Sequence, residues 1–148
     1  MRKYKIYLSC PYEFESKNSN WKQEAMSVLG EPYEGYDPCP NPEEKNVSQS
    51  LKNEEAWAEL EELGKEIIER DLWELRTSDG CLVYFPGQTV TTGTIHEVID
   101  ATTNRMPLVL IAPDGLKSLS TWLIGLVGLK NIVTNPKAGA LLLAQRMK

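Results

Sequence analysis

The segment Thr91-Thr92-Gly93-Thr94-Ile95-His96-Glu97 sets a glycine where a buried apolar run gives way to a helical pattern, and a glutamate about one turn further on. Glycine lets the backbone turn tightly into the helix, and the free N–H groups of a first helical turn can hold an anion. From that position the Glu97 carboxylate can point into a crevice. A tight turn and a favourable helix dipole are the plainer uses of the same residues. A second carboxylate is Asp71, in Glu69-Arg70-Asp71-Leu72-Trp73-Glu74-Leu75. The spacing that puts Ile67, Ile68 and Leu75 on an apolar face puts Asp71 there too. A carboxylate on the buried side of a helix costs on the order of several kcal/mol unless it is paired, solvated or protonated. Such a group is a candidate for function, with a cap or a satisfied structural hydrogen bond as the alternative.

These carboxylates need elements to position them. Tyr4 to Ser9 predicts a strand that ends at Cys10-Pro11, because proline stops strand pairing and helix growth. A helix from Trp21 to Leu29, closed by Gly30, comes next. Pro32, Pro38, Pro40 and Pro42 then predict a long loop with one edge strand at Tyr33 to Tyr36. Asn53 or a neighbour opens the longest helix, to about Arg76, on a stripe of Trp57, Leu60, Leu63 or Gly64, Ile67, Ile68, Leu72 or Asp71, and Leu75. Gly80 to Phe85 and Pro107 to Ala112 read as strands covered on both faces, with a helix from Gly93 to Thr103 between them. A helix from about Ser120 to Leu129, a short strand at Asn131 to Val133 and a helix from Pro136 to Met147 complete the pattern. Strands alternating with amphipathic helices predict α/β architecture, a flavodoxin-like or Rossmann-like parallel sheet of about five strands flanked by helices. In such folds ligands sit beyond the carboxyl ends of the strands, here Ser9 to Pro11, Phe85 to Thr92 and Ala112 to Ser120.

A length of 148 residues fits one domain over positions 1–148. The net charge of −5 argues against a polyanion partner, since phosphate-backbone binding needs an excess of Lys and Arg; a single small nucleotide is compatible with it. Three scattered cysteines, Cys10, Cys39 and Cys81, and one histidine make a structural zinc improbable and suit reduced thiols in the cytoplasm. The basic N-terminus carries too short an apolar run for a signal peptide, and no stretch approaches the ~20 apolar residues that span a bilayer. Neither metal nor cofactor is expected.

The order Ile6-Tyr7-Leu8, Arg70-Asp71-Leu72 with Ser78-Asp79, Gly93-Thr94 with Glu97, and Leu119-Ser120-Thr121-Trp122-Leu123 resembles the nucleoside 2-deoxyribosyltransferase superfamily. That superfamily includes the 2'-deoxynucleoside 5'-monophosphate N-glycosidases, and the resemblance covers roughly residues 5–125. It implies that Glu97 is the nucleophile forming a covalent glycosyl-enzyme, that Asp71 assists departure of the base, and that Tyr7 orients the nucleophile. Thr91 and Ser120 match two hydroxyl positions that contact a 5'-phosphate in the monophosphate hydrolases, the second coming from a neighbouring subunit. A homodimer or higher homo-oligomer with a shared site is therefore implied. Ser9, at the end of the first strand, and Gly93, at the helix start, complete the expected substrate-binding set.

The chemistry is sound from first principles. Breaking an N-glycosidic bond develops oxocarbenium character that a carboxylate can trap, and the departing base takes a proton from an acid raised by burial. Two steps also allow two outcomes: water gives hydrolysis, a second base gives transfer. The transferases carry aspartate at the position of Thr91 and asparagine near Ser118, which tilts this chain toward a monophosphate hydrolase. The hydrolases, however, follow their first strand with a glycine-rich loop, and here that place is Ser9-Cys10-Pro11-Tyr12-Glu13.

The expected activity is thus release of free base from a (deoxy)nucleoside 5'-monophosphate. Base exchange between deoxynucleosides is the first alternative, and a non-catalytic module sensing a nucleotide or NAD-derived ligand is the second. His96 is not expected to share the pocket, since adjacent helical residues point about 100° apart. Cys10 is read as a small buried residue, Trp73 and Trp122 as core or interface, and Tyr33 or Tyr36 as candidates to stack on a base.

Overall fold

The computed structural model describes residues 2–11, 20–38, 42–87 and 92–148. Five parallel strands, β1 (Tyr4–Ser9), β2 (Tyr33–Tyr36), β3 (Gly80–Tyr84), β4 (Leu108–Ile111) and β5 (Ile132–Val133), form one sheet in the order β2-β1-β3-β4-β5. Parallel strands need crossovers, and the helices supply them: α1 (Trp21–Ser27), α2 (Pro42–Asn53), α3 (Trp57–Arg76), α4 (Thr92–Thr103), α5 (Thr121–Val127) and α6 (Pro136–Arg146). This is the flavodoxin-like order, and it reverses direction between β1 and β3.

Strand alternation divides the core. Ile6, Leu8, Leu82, Val109 and Ile111 pack on one face with Trp21 and Ala25 of α1 and Ala140 and Leu143 of α6. Tyr7, Cys81, Val83, Leu108 and Leu110 pack on the other with Leu75 of α3, Val98 and Ala101 of α4, and Leu123 and Val127 of α5. Because both faces are covered, β3 and β4 carry the continuous apolar runs that marked them in the sequence. Gly139 is where α6 comes closest to the sheet, since a Cβ there would lie 2.7 Å from Ile111 Cγ1.

The proline-rich segment departs from expectation. It holds the expected edge strand β2, but the twelve-residue helix α2 starts at its last proline, ahead of the position expected to open the longest helix. Pro42 opens that helix, where a missing N–H costs nothing, and Glu43 and Glu44 occupy the first turn, where negative charge meets the positive end of the dipole. The long helix therefore begins at Trp57; Asn53 closes α2 instead, and Glu55, with φ +55°, breaks the two apart. Trp73 and Trp122 are not core residues, being 63% and 80% exposed. Trp57 and Ile68, placed on the apolar stripe, are also exposed.

Candidate active site

At the switch point, β1 presents two hydroxyls to α4. Tyr7 and Ser9 are two residues apart, hence on one face of the strand, and both are fully buried. On α4, Thr94, Glu97, Val98 and Ala101 form the buried stripe, and Glu97 is its one acidic member. The Tyr7 hydroxyl donates to Glu97 Oε2, and the Ser9 hydroxyl donates to Oε1 at 2.7 Å. Each oxygen of the carboxylate therefore has its own donor.

Burial is the largest influence on Glu97 and raises its pKa from 4.5 to about 7; the two hydroxyls and, at longer range, Lys22 pull it back down, while Asp71 pushes it up. Burial, and then the neighbouring Glu97, push the Tyr7 phenol well above its ordinary range, so Tyr7 keeps its proton and remains a donor. Tyr36 of β2 stacks on Tyr7 with ring centroids 5.8 Å apart, while Tyr33 packs on Tyr4.

Asp71 lies on α3, half-buried and near enough to raise both Glu97 and Tyr7. It is paired: Arg70 Nε–H donates to Asp71 Oδ1 at 3.0 Å. The same guanidinium grips Glu44 of α2 through both remaining nitrogens, at 2.6 Å and 3.2 Å, and reaches the Pro38 carbonyl at 3.4 Å. Burial raises the Asp71 pKa, and the Arg70 hydrogen bond opposes that rise. Lys22 of α1 is paired with Asp37 at 2.5 Å.

The structure thus joins Tyr7, Ser9 and Glu97 in one buried group and sets Asp71 within electrostatic reach. Gly93 is exposed in the first turn of α4, and a Cβ on it meets nothing within 4 Å. Ser120 is exposed as the N-cap of α5, its Oγ accepting from the Leu123 N–H at 3.1 Å. Thr91 lies outside the described residues. His96 is exposed, Cys10 is buried on the opposite face of the sheet, and Asp79 accepts from the Lys5 N–H at the far end of β1. Among the described residues no three His, Cys, Asp or Glu side chains gather as a metal site, and no helix is long and apolar enough to cross a membrane.

Sequence reasoning did not single out Arg70, Glu44 or the bond from Ser9 to Glu97. A charged residue directly before an acid on an apolar face was a usable signal for Arg70. Nothing local connected Glu44 to it across 26 positions.

Together these features define a doubly wound α/β domain with a hydroxyl-held carboxylate at its switch point. No protein-family model and no curated protein matches the chain. Among solved structures, the 2-deoxyribosyltransferase of the psychrotolerant bacterium Bacillus psychrosaccharolyticus matches with TM-score 0.62 at 16% identity, over 92% of this chain and 90% of that one. A conserved protein from Enterococcus faecalis V583 matches with TM-score 0.65 at 14% identity, over 98% and 99%. At these identities the likeness is one of fold, and it is the fold that the resemblance in sequence implies.

Proposed function

We propose that the chain hydrolyses the N-glycosidic bond of a (deoxy)nucleoside 5'-monophosphate and releases the free base. The observation that carries this reading is Glu97, buried at the ligand-binding edge of the sheet with a hydroxyl on each oxygen. A buried, oriented carboxylate suits attack on an uncharged anomeric carbon, and a pure binding module gains little from one.

In the first step a Glu97 oxygen bonds to the anomeric carbon as the carbon–nitrogen bond breaks. The bonding pair stays with the base, which takes a proton from Asp71. In the second step water attacks the same carbon, Asp71 accepts the water's proton, and Glu97 leaves as carboxylate. Tyr7 and Ser9 hold the carboxylate plane throughout. A hydroxyl that accepts from a backbone N–H retains its own O–H for donation, so the Ser120 cap is compatible with a phosphate contact. That contact, with Thr91, is assigned to the 5'-phosphate in a site shared between subunits of a cytoplasmic homo-oligomer.

One observation favours a second reading, base exchange on an unphosphorylated deoxynucleoside. Lys22, Arg70 and Lys5 already carry carboxylate partners in Asp37, Glu44 with Asp71, and Glu74, an arrangement better suited to a neutral sugar than to a dianion. The decisive assay is chromatography after incubation with nucleosides, their 5'-monophosphates and NAD, with and without a second free base. Base released from monophosphates alone supports the hydrolase. Exchange among deoxynucleosides replaces it with the transferase. Binding with no product in any mixture replaces both with a sensor.

A further inference from the structure

Asp71 does not stand alone at the end of α3. Its Oδ1 is occupied by Arg70 Nε–H at 3.0 Å, and the guanidinium that makes this bond is held by Glu44 through a two-point fork. Paired nitrogen–oxygen contacts of this kind fix the guanidinium plane as well as its position. The fork ties α2, which follows the carboxyl end of β2, to the helix that bears Asp71.

We propose that the Glu44–Arg70 pair is a positioning device for Asp71: it immobilises Oδ1 and leaves Oδ2 as the oxygen that carries the proton exchanged with the departing base. This inference rests on the proposed acid role of Asp71 and adds to it two residues that never meet the substrate. Glu44 has a second effect. By neutralising Arg70 it lets the guanidinium donate a hydrogen bond without the full pull of an unpaired cation, which would otherwise strip the proton from Asp71.

The groups facing Asp71 are Arg70 and Glu74 of its own helix, Glu44 of α2, Tyr36 of β2, Tyr7 of β1 and Glu97 of α4. Of these only Arg70 favours the ionised form; Glu44 and Glu74 oppose it. The two members of the clamp therefore act on Asp71 with opposite signs. Glu44→Gln should lower the pH at which Asp71 loses its proton, and Arg70→Gln should raise it, each by about one pH unit.

The test is a carbon-13 NMR titration of the side-chain carboxyls in the full chain, with the Asp71 signal identified by its loss in Asp71→Asn. The same variants are followed by the pH profile of kcat on whichever substrate the chromatographic assay identifies. Opposite displacements of the Asp71 midpoint, matched by the alkaline limb of kcat and a roughly tenfold lower maximum, are expected. Simple loosening of α2 would lower kcat in both variants without displacing the midpoint in opposite directions. A midpoint that does not move, or moves the same way in both, overturns the clamp. Opposite displacements with an unchanged kcat limb overturn the positioning role. The Asp71→Asn protein separates the two levels: full activity there removes the acid role itself, whereas a slow Asp71→Asn beside unaltered clamp variants removes only this inference. The titration needs no turnover, so it judges the clamp even if the activity proves to be a different one.

Discussion

Tyr7 and Glu97 stand 90 positions apart in the chain and share a buried hydrogen bond, phenol to carboxylate. The sheet brings them together: β1 pairs directly with β3, and the helix after β3 folds back over the face of β1 on which Tyr7 lies. The bond locates the nucleophile of the proposed reaction, and the burial around it makes the Glu97 charge costly to the fold.

Glu97→Gln should therefore abolish turnover, by at least about a thousandfold, while making the protein more resistant to unfolding. The pKa of Glu97 is raised in the native state, so between 4.5 and about 7 the native protein holds a proton that the unfolded chain has released. Stability is lost as pH rises through that window, and above it the deficit is on the order of 3 kcal/mol. Denaturant titrations at pH 5 and pH 8 check this: the parent should weaken between them by more than the glutamine variant does. Equal weakening would mean that Glu97 is not protonated in the native state.

The rate should follow the same group. Only the carboxylate attacks, so the acid limb of kcat should rise with pH through about 7, and loss of the Asp71 proton sets the alkaline limb. Both hydroxyl partners lower the Glu97 pKa, so Tyr7→Phe and Ser9→Ala should each move this acid limb to higher pH and reduce the maximum about tenfold or more. A limb that stays in place in both variants would show that the hydroxyls do not tune the nucleophile.

The proposal of a shared site predicts complementation. A Ser120→Ala chain supplies Glu97, and a Glu97→Ala chain supplies Ser120, so one site of each mixed dimer is intact. Random pairing would restore up to about a quarter of the parent activity. The measurement is turnover after co-refolding the two variants, compared with the sum of the separate proteins. Activity equal to that sum would place each site within one chain.

Gly139→Ala tests the packing of α6 on the sheet. Alanine favours a helix over glycine by about 1 kcal/mol, but here its methyl would meet Ile111 Cγ1 at 2.7 Å and Cδ1 at 3.0 Å in a buried position. The clash should win, with a net loss of about 1–2 kcal/mol and a lower Tm by thermal denaturation. A stabilised variant would show that Ile111 has room to move aside.

What the sequence disclosed follows from what is local. The strand Tyr4–Ser9 was legible to the residue because an apolar run ends at Cys10-Pro11, and Glu97 stood out as an acid about one turn into the helix that follows Gly93. The parallel architecture followed from the continuous runs of β3 and β4. Helix α2 stayed hidden because proline density reads as irregular, although a proline at a first turn is a helix start. Of the two readings of Trp73 and Trp122, core or interface, the first fails because both lie on outward faces, which their size alone does not reveal. The partners were the least legible part. Ser9 and Glu97 meet across 88 positions and Arg70 and Glu44 across 26, and no periodicity records such a meeting.

The alternation of β1 has a consequence for assembly. Tyr7 and Ser9 face α4, while Ile6 and Leu8 fill the opposite core against α1 and α6. Sliding β1 by one position against β3, away from the pairing of Tyr7 with Cys81 and Ser9 with Val83, would turn both hydroxyls away from Glu97 and bring two aliphatic side chains in their place. It would also drive a phenol and an alcohol into the apolar layer. Misalignment of this strand is thus penalised twice, by an orphaned acid on one side and a polar intrusion on the other. The hydrophobic code that aligns the sheet proofreads the site as well.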